Sequence, residues 1–217
     1  MKKVLQVWLH LYLTCLPVFC LAETKLMVVG DSLSAGYGVT TESRWVNLLT
    51  HQLNTHCGPF QVINASVSGD TSQGGRSRLP ALLEKHQPII VIIELGGNDG
   101  LRGIASREMR DNLRQMVRLS KQAGAAVLLL GVRLPANYGP EFTKAFHQVY
   151  YDVSEAESVP LVPFFLEGVA LDMSLMQNDG IHPNDLAQPI LLENVFSGLS
   201  PLLNDAGFTD SACLRVR

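Results

Sequence analysis

Four short stretches of this chain carry groups suited to nucleophilic acyl transfer. Ser32 follows the apolar run Leu26–Val29 within Gly30-Asp31-Ser32-Leu33 and precedes the small residues Ser34, Ala35 and Gly36. A short apolar run bounded by turn residues reads as a strand buried on both faces. Ser32 then falls in the loop at that strand's C-terminal end, where α/β proteins meet their ligands. Asp179 and His182 supply the complementary groups within Asp179-Gly180-Ile181-His182-Pro183. On a turn, this spacing lets the carboxylate accept from the imidazole Nδ1–H while Nε2 points elsewhere, which fixes the tautomer and stabilises the imidazolium. The reaction also needs donors aimed at the developing oxyanion. Gly69 and Asn98 stand in two further small, polar stretches, Ala65–Ser72 and Gly96–Gly100, and are the candidates. Each feature has an ordinary reading too: Gly, Asp and Ser are common turn residues, and Asn184 suits a helix cap.

Positioning these groups on one rim requires a parallel sheet. Strands are expected at 26–29, 60–64, 89–95, 125–131 and 160–163, and helices at 42–55, 73–86, 106–123, 142–153 and 184–203. Ile89–Leu95 is β-branched, continuous and short, as a central parallel strand should be. Glu94 within it is anomalous and is expected to hydrogen-bond behind the site. Phe142, Ala145, Phe146, Val149, Tyr150 and Val153 recur at helical spacing. Ser106 is the expected N-cap of its helix; Pro80 either kinks its helix or starts the regular part. Five strands alternating with helices specify a three-layer α/β/α sandwich with a flavodoxin-like five-stranded parallel sheet. Residues 164–178 read as irregular, and no repeat or linker divides the chain.

The 217 residues carry a formal net charge of −3 with no basic cluster, which argues against a nucleic-acid partner. Lys2 and Lys3, the apolar stretch to Leu21 and the small Cys20 and Ala22 read as a secretory signal peptide over residues 1–22. The mature domain then spans 23–205, followed by a polar, frayed tail at 206–217, and the expected location is the periplasm, or the exterior. Cys57 and Cys213 remain after cleavage. Export permits a bond between them. One pair with its second member in a polar tail is no disulfide framework, so two free thiols are expected. Neither Cys-x-x-Cys nor His-Glu-x-x-His spacing occurs, so no metal and no cofactor are expected. His51, His56, His86 and His147 fall on or near helix surfaces, without partners, and are read as non-catalytic.

Gly30-Asp31-Ser32-Leu33, Gly69, Gly96-x-Asn98-Asp99 and Asp179-x-x-His182-Pro183 resemble, in order, the sequence blocks of the SGNH (GDSL) hydrolases. Asn64–Ser72, Glu94–Gly103, Arg133–Gly139 and Asp179–Asn184 are similar to the bacterial periplasmic thioesterase, lysophospholipase and arylesterase group of that family. The resemblance implies Ser32 as nucleophile, His182 as base and Asp179 as its partner. It implies the Ser32 N–H, the Gly69 N–H and the Asn98 amide as oxyanion donors. It implies a mobile segment at Gly100–Ala105, and Leu101, Ile104, Leu134 and Tyr138 as candidates for an acyl pocket. The expected substrates are small acyl esters, thioesters or lysophospholipids, handled by a monomer with transient lipid contact. Two alternatives share the blocks: a carbohydrate O-acetyl esterase, and a non-catalytic lipid- or carbohydrate-binding module. An apolar groove at Leu101, Ile104, Leu134 and Tyr138 favours the acyl hydrolase.

Overall fold

A computed structural model describes residues 24–215; the expected leader lies outside the described residues. Five strands, β1 (Thr24–Gly30), β2 (Phe60–Asn64), β3 (Ile90–Glu94), β4 (Ala126–Leu130) and β5 (Leu161–Val162), form one sheet in the order β2-β1-β3-β4-β5. Every neighbouring pair is parallel, and Gly30 of β1 is level with Glu94 of β3. Helices cover both faces, which is why β3 is buried at all five positions. α3 (Ser72–His86), α5 (Ser106–Gln122) and α6 (Pro140–Glu157) pack side by side on one face, and α2 (Trp45–His56) packs with α7 (Gln188–Asp205) on the other. The strand order reverses between β1 and β3. Connections leave those two strands toward opposite faces and open a crevice beyond their C-terminal ends. One-turn helices follow both: α1 (Ser32–Ala35) after β1 and α4 (Gly97–Leu101) after β3.

The helices end where local chemistry stops them. Asp31 accepts from the Leu33 N–H and caps α1, and Gly36 ends it at φ +75°, a conformation costly for other residues. Thr71 caps α3 through the Gly74 N–H. Pro80 lies within α3, eight residues past its start, so it does not begin the helix. Ser106 is the first residue of α5 rather than its cap; Ala105 precedes it and offers no side-chain acceptor. His147 has a partner after all: its Nε2 lies 2.8 Å from the Pro163 carbonyl beyond β5.

The C-terminal segment also departs from expectation. Cys57 and Cys213 form a disulfide, with Cα atoms 4.8 Å apart and Cys213 fully buried. The polar composition of 206–215 conceals specific anchors. Phe208 packs on Phe60 with ring centroids 4.7 Å apart. Gln52 donates from α2 to the Arg215 carbonyl at 2.6 Å, and Ser200 donates from α7 to the Leu214 carbonyl at 2.9 Å. These contacts fold the segment back over the end of α2 and bring Cys213 onto Cys57. The bond closes a loop 156 residues long in sequence. Its loss is expected to cost about 2–4 kcal/mol and to lower Tm by roughly 5–15 °C. Thermal melts with and without reductant, and of a Cys57→Ser/Cys213→Ser variant, measure this. A Tm indifferent to reductant would mean that the aromatic and amide anchors hold the tail unaided.

Candidate active site

Ser32 opens α1 at the crevice, half-buried, with its Oγ 2.8 Å from His182 Nε2. These two residues are 150 positions apart in the chain. His182 Nδ1 lies 2.7 Å from Asp179 Oδ2. The other carboxylate oxygen, Oδ1, accepts the backbone N–H groups of Ile181 at 2.9 Å and His182 at 3.0 Å. One carboxylate therefore shapes the turn with one oxygen and orients the imidazole with the other. Its partial burial pushes the Asp179 pKa up, but the backbone and ring N–H bonds from His182 and the bond from Ile181 outweigh that and hold it at about 2.

The turn bearing His182 is stapled to the chain beyond α1. Gln177 donates its side-chain amide to the carbonyls of Tyr37 at 2.8 Å and Pro183 at 2.9 Å. Its backbone N–H reaches the His182 carbonyl at 2.7 Å. Asp185 accepts from the Thr40 N–H at 3.0 Å and from the Thr40 hydroxyl. Asn184 caps the following turn through the Leu186 N–H. The Tyr37 ring packs on His182 with centroids 4.7 Å apart. None of Gln177, Thr40, Asp185 or Tyr37 was singled out at these positions from sequence. Their contacts between this turn and the chain beyond α1 span more than a hundred residues and carry no local pattern.

Asn98 lies on α4, with its side-chain amide donating to Asp31 Oδ2 at 3.0 Å. An amide nitrogen carries two hydrogens, so one remains for the crevice. Gly69, at φ +80°, lies in the loop after β2. Arg102 at the end of α4 donates to the Gly69 carbonyl at 2.8 Å, which ties that loop to α4. Among the described residues, the N–H groups of Ser32 and Gly69 donate to no protein acceptor. Behind this surface, Asp99 accepts the Ser72 N–H at 2.8 Å, and Asn112 donates to the Ser72 hydroxyl at 2.9 Å. That buried cluster locks α4 against the start of α3.

Two of the apolar candidates, Leu134 and Tyr138, come from the loop after β4 and reach α4. Leu134 is buried with its methyl groups so close to Gly100 that a Cβ there would lie 2.5–2.6 Å from them. The Tyr138 hydroxyl is 3.5 Å from the Leu101 carbonyl. Leu101 and Ile104 are half-buried, and Tyr138 is exposed. A separate cleft of about 370 Å³ between α3 and α5, lined by Gln73, Arg76, Glu108 and Asp111 among others, contains none of the apolar candidates. Among the described residues no three His, Cys, Asp or Glu side chains gather as metal ligands.

The profile of the GDSL-like lipase/acylhydrolase family matches residues 28–188. The chain belongs to that family. It is 53% identical over 182 residues to the esterase TesA of Pseudomonas aeruginosa, covering 84% of this chain and 90% of TesA. It is 46% identical over 194 residues to the thioesterase 1/protease 1/lysophospholipase L1 of Escherichia coli, covering 89% of this chain and 92% of that protein. The crystal structure of the psychrotrophic esterase EstA from a Pseudoalteromonas species, inhibited by monoethylphosphonate, superposes with a TM-score of 0.79 at 40% identity, covering 84% of this chain and all of EstA. The family's α/β sheet is thus this chain's sheet, and its class of chemistry, acyl hydrolysis, is this chain's class.

Proposed function

We propose that this chain is an exported, monomeric serine hydrolase of small acyl esters, thioesters and lysophospholipids. Ser32 is the nucleophile, His182 the general base and Asp179 the group that orients it. The Ser32 and Gly69 N–H groups and the Asn98 amide bind the oxyanion. One observation carries the reading: an unbroken hydrogen-bond relay from Ser32 Oγ through both imidazole nitrogens to Asp179, at 2.8 and 2.7 Å.

As the Ser32 oxygen attacks the substrate carbonyl, its proton passes to His182 Nε2. Asp179 stabilises the imidazolium that forms. The tetrahedral oxyanion then faces donors fixed before the reaction begins. His182 returns the proton to the departing alkoxide or thiolate, leaving an acyl-Ser32 ester. Water attacks this ester by the same route in reverse, and free acid departs. The meeting of Leu134, Leu101 and Tyr138 beside α4 supports an apolar acyl site. Exposed Tyr37, Val67 and Ile181 on the loops around the relay support transient lipid contact. The leader sequence supports export, and the Cys57–Cys213 bond fits an oxidising compartment.

Stoichiometric labelling of Ser32 by a fluorophosphonate tests enzyme against binding module. A chain-length series of p-nitrophenyl esters, run beside lysophosphatidylcholine and palmitoyl-CoA, ranks substrates. Preference for acetylated sugars over all of these would replace the acyl-hydrolase reading. Asn98→Ala is expected to lower kcat by about 10²–10³ with little change in KM, the effect of deleting one preorganised oxyanion donor. A loss below tenfold would remove Asn98 from the donor set.

A further inference from the structure

Beneath the nucleophile turn lies a carboxyl group that the mechanism above does not use. Glu94 ends β3, is fully buried and is level with Gly30 of β1. Its Oε2 accepts the Ser34 hydroxyl at 2.7 Å and the Asp31 N–H at 3.3 Å, one bond on each side of Ser32. It fills the space where a Cβ on Gly30 would stand, 2.7 Å away. Its Oε1 has no hydrogen-bond partner among the described residues. Asp31, 2% exposed, adds a second buried carboxyl. Its Oδ1 takes the Leu33 N–H at 3.0 Å and its Oδ2 takes the Asn98 amide at 3.0 Å.

We propose that Glu94 is a positioning residue for the reaction: a neutral carboxyl that props the turn carrying Ser32 and leaves Asp31 the single charge of the pair, so that Asp31 aims the Asn98 amide. The inference rests on the roles proposed above for Ser32 and Asn98. Two buried carboxyl groups whose charges act on each other do not both ionise. Asp31 has the better claim to the charge, with a backbone N–H, an amide and the nearby His182 imidazole all favouring its anion. Glu94 has one hydroxyl and one backbone N–H, and an oxygen with nothing. Among the described residues neither carboxyl forms an ion pair. Arg78, whose guanidinium reaches the Gly30 carbonyl at 3.4 Å, pairs with Asp70. The other groups acting on the pair are Asp70, whose charge opposes that of Asp31, and the Tyr150 hydroxyl on α6, which donates to the Leu95 carbonyl at 3.1 Å. Burial, then the Asp31 charge, pushes Glu94 well above the usual carboxylate range, while burial raises Asp31 only to about 6. A second anion there would oppose the oxyanion; a neutral carboxyl supports the turn without doing so.

The experiment compares E94Q and E94L with wild type, with S32A alongside. E94Q keeps the shape, an acceptor and the neutral charge, and is expected to hold kcat and KM within about threefold. E94L removes both bonds to the turn and is expected to lose about 10²-fold in kcat, as mispositioning by about 1 Å does, with KM nearly unchanged. The acid limb of the kcat/KM profile stays in place in E94Q. An ionised Glu94 would instead hold that limb up, and its removal would shift the limb down by about a unit or more, which overturns the proposal. The infrared difference between wild type and E94Q at neutral pH should show the loss of a carboxylic-acid C=O band. Loss of a carboxylate band overturns the proposal without reference to turnover, and does so even where E94L fails to fold. If E94L keeps its kcat and only its Tm falls, Glu94 is structural, and an inactive S32A leaves the proposed function standing. Turnover by S32A would overturn both.

Discussion

Ser32→Ala should lower kcat on p-nitrophenyl esters by on the order of 10⁶ while the protein remains folded. Both halves follow from where the hydroxyl sits. Among the described residues its oxygen engages only His182 Nε2, and in the proposed mechanism it loses its proton to that nitrogen as it attacks the carbonyl carbon. With it gone, no acyl-enzyme forms, and His182 has only water to activate. The donors proposed at Gly69 and Asn98 remain in place, so a residual rate above the uncatalysed one is expected. The fold has little at stake. Ser32 is the first residue of α1, and the Gly36 and Tyr37 N–H groups bond to its backbone carbonyl, not its side chain. Asp31 still caps Leu33. Alanine is the best helix former, so the change in stability should lie within about 0.5 kcal/mol. Turnover, circular dichroism and fluorophosphonate labelling check the two halves together. A folded variant that still turns over at more than a tenth of the wild-type rate would mean that another group attacks the substrate.

The sequence carried the relay because each of its members is marked by local chemistry. Ser32 terminates a buried strand, and Asp179 and His182 share one turn. Strand β2 is legible to the residue, since its alternation and the Gly58-Pro59 break bound it on one side. What escaped depended on partners distant in the chain. α4 has two glycines and an asparagine in five residues, poor helix formers, and reads as a loop. It is helical because Asp99 is locked to Ser72 and the Arg102 N–H closes onto Asn98. Ser106 followed the capping rule, yet the helix starts at it, since α5 is held chiefly by its buried Met109, Leu113, Met116 and Val117 face. The tail looked frayed because its polar residues outnumber its anchors. Gln52, Phe60 and Ser200, which receive it, belong to other elements. Glu94 was visible as an anomaly in an apolar strand, but its partners were not, because the β1–β3 register decides them.

Asp179→Asn should cost about 10⁴ in kcat with the turn intact, because of how the carboxylate divides its oxygens. Oδ1 takes two backbone N–H groups and Oδ2 faces Nδ1. An asparagine keeps its oxygen on the two backbone donors, since flipping it would set its NH₂ against both. The NH₂ then faces Nδ1 and forces that nitrogen to accept. The imidazole proton moves to Nε2, which now donates toward Ser32 and can no longer take its proton. Asp179→Ala, by contrast, also loses the two backbone bonds and should lower Tm as well as kcat. The pH dependence separates the carboxylate from the imidazole. Asp179 is held at about 2, below its ordinary 3.8, so it remains charged through the whole range in which activity is measured, and the acid limb of kcat/KM belongs to other groups. Linkage gives the sign: a depressed carboxylate adds stability that is complete above its unfolded value and lost as pH falls toward 2. Asp179→Asn removes that contribution, which solvent screening keeps small for a side chain 39% exposed. Wild type and variant should therefore differ most in Tm above pH 4 and converge below it. An Asp179→Asn enzyme within tenfold of wild type would show that the imidazole keeps its tautomer without the carboxylate, and that a dyad of Ser32 and His182 suffices.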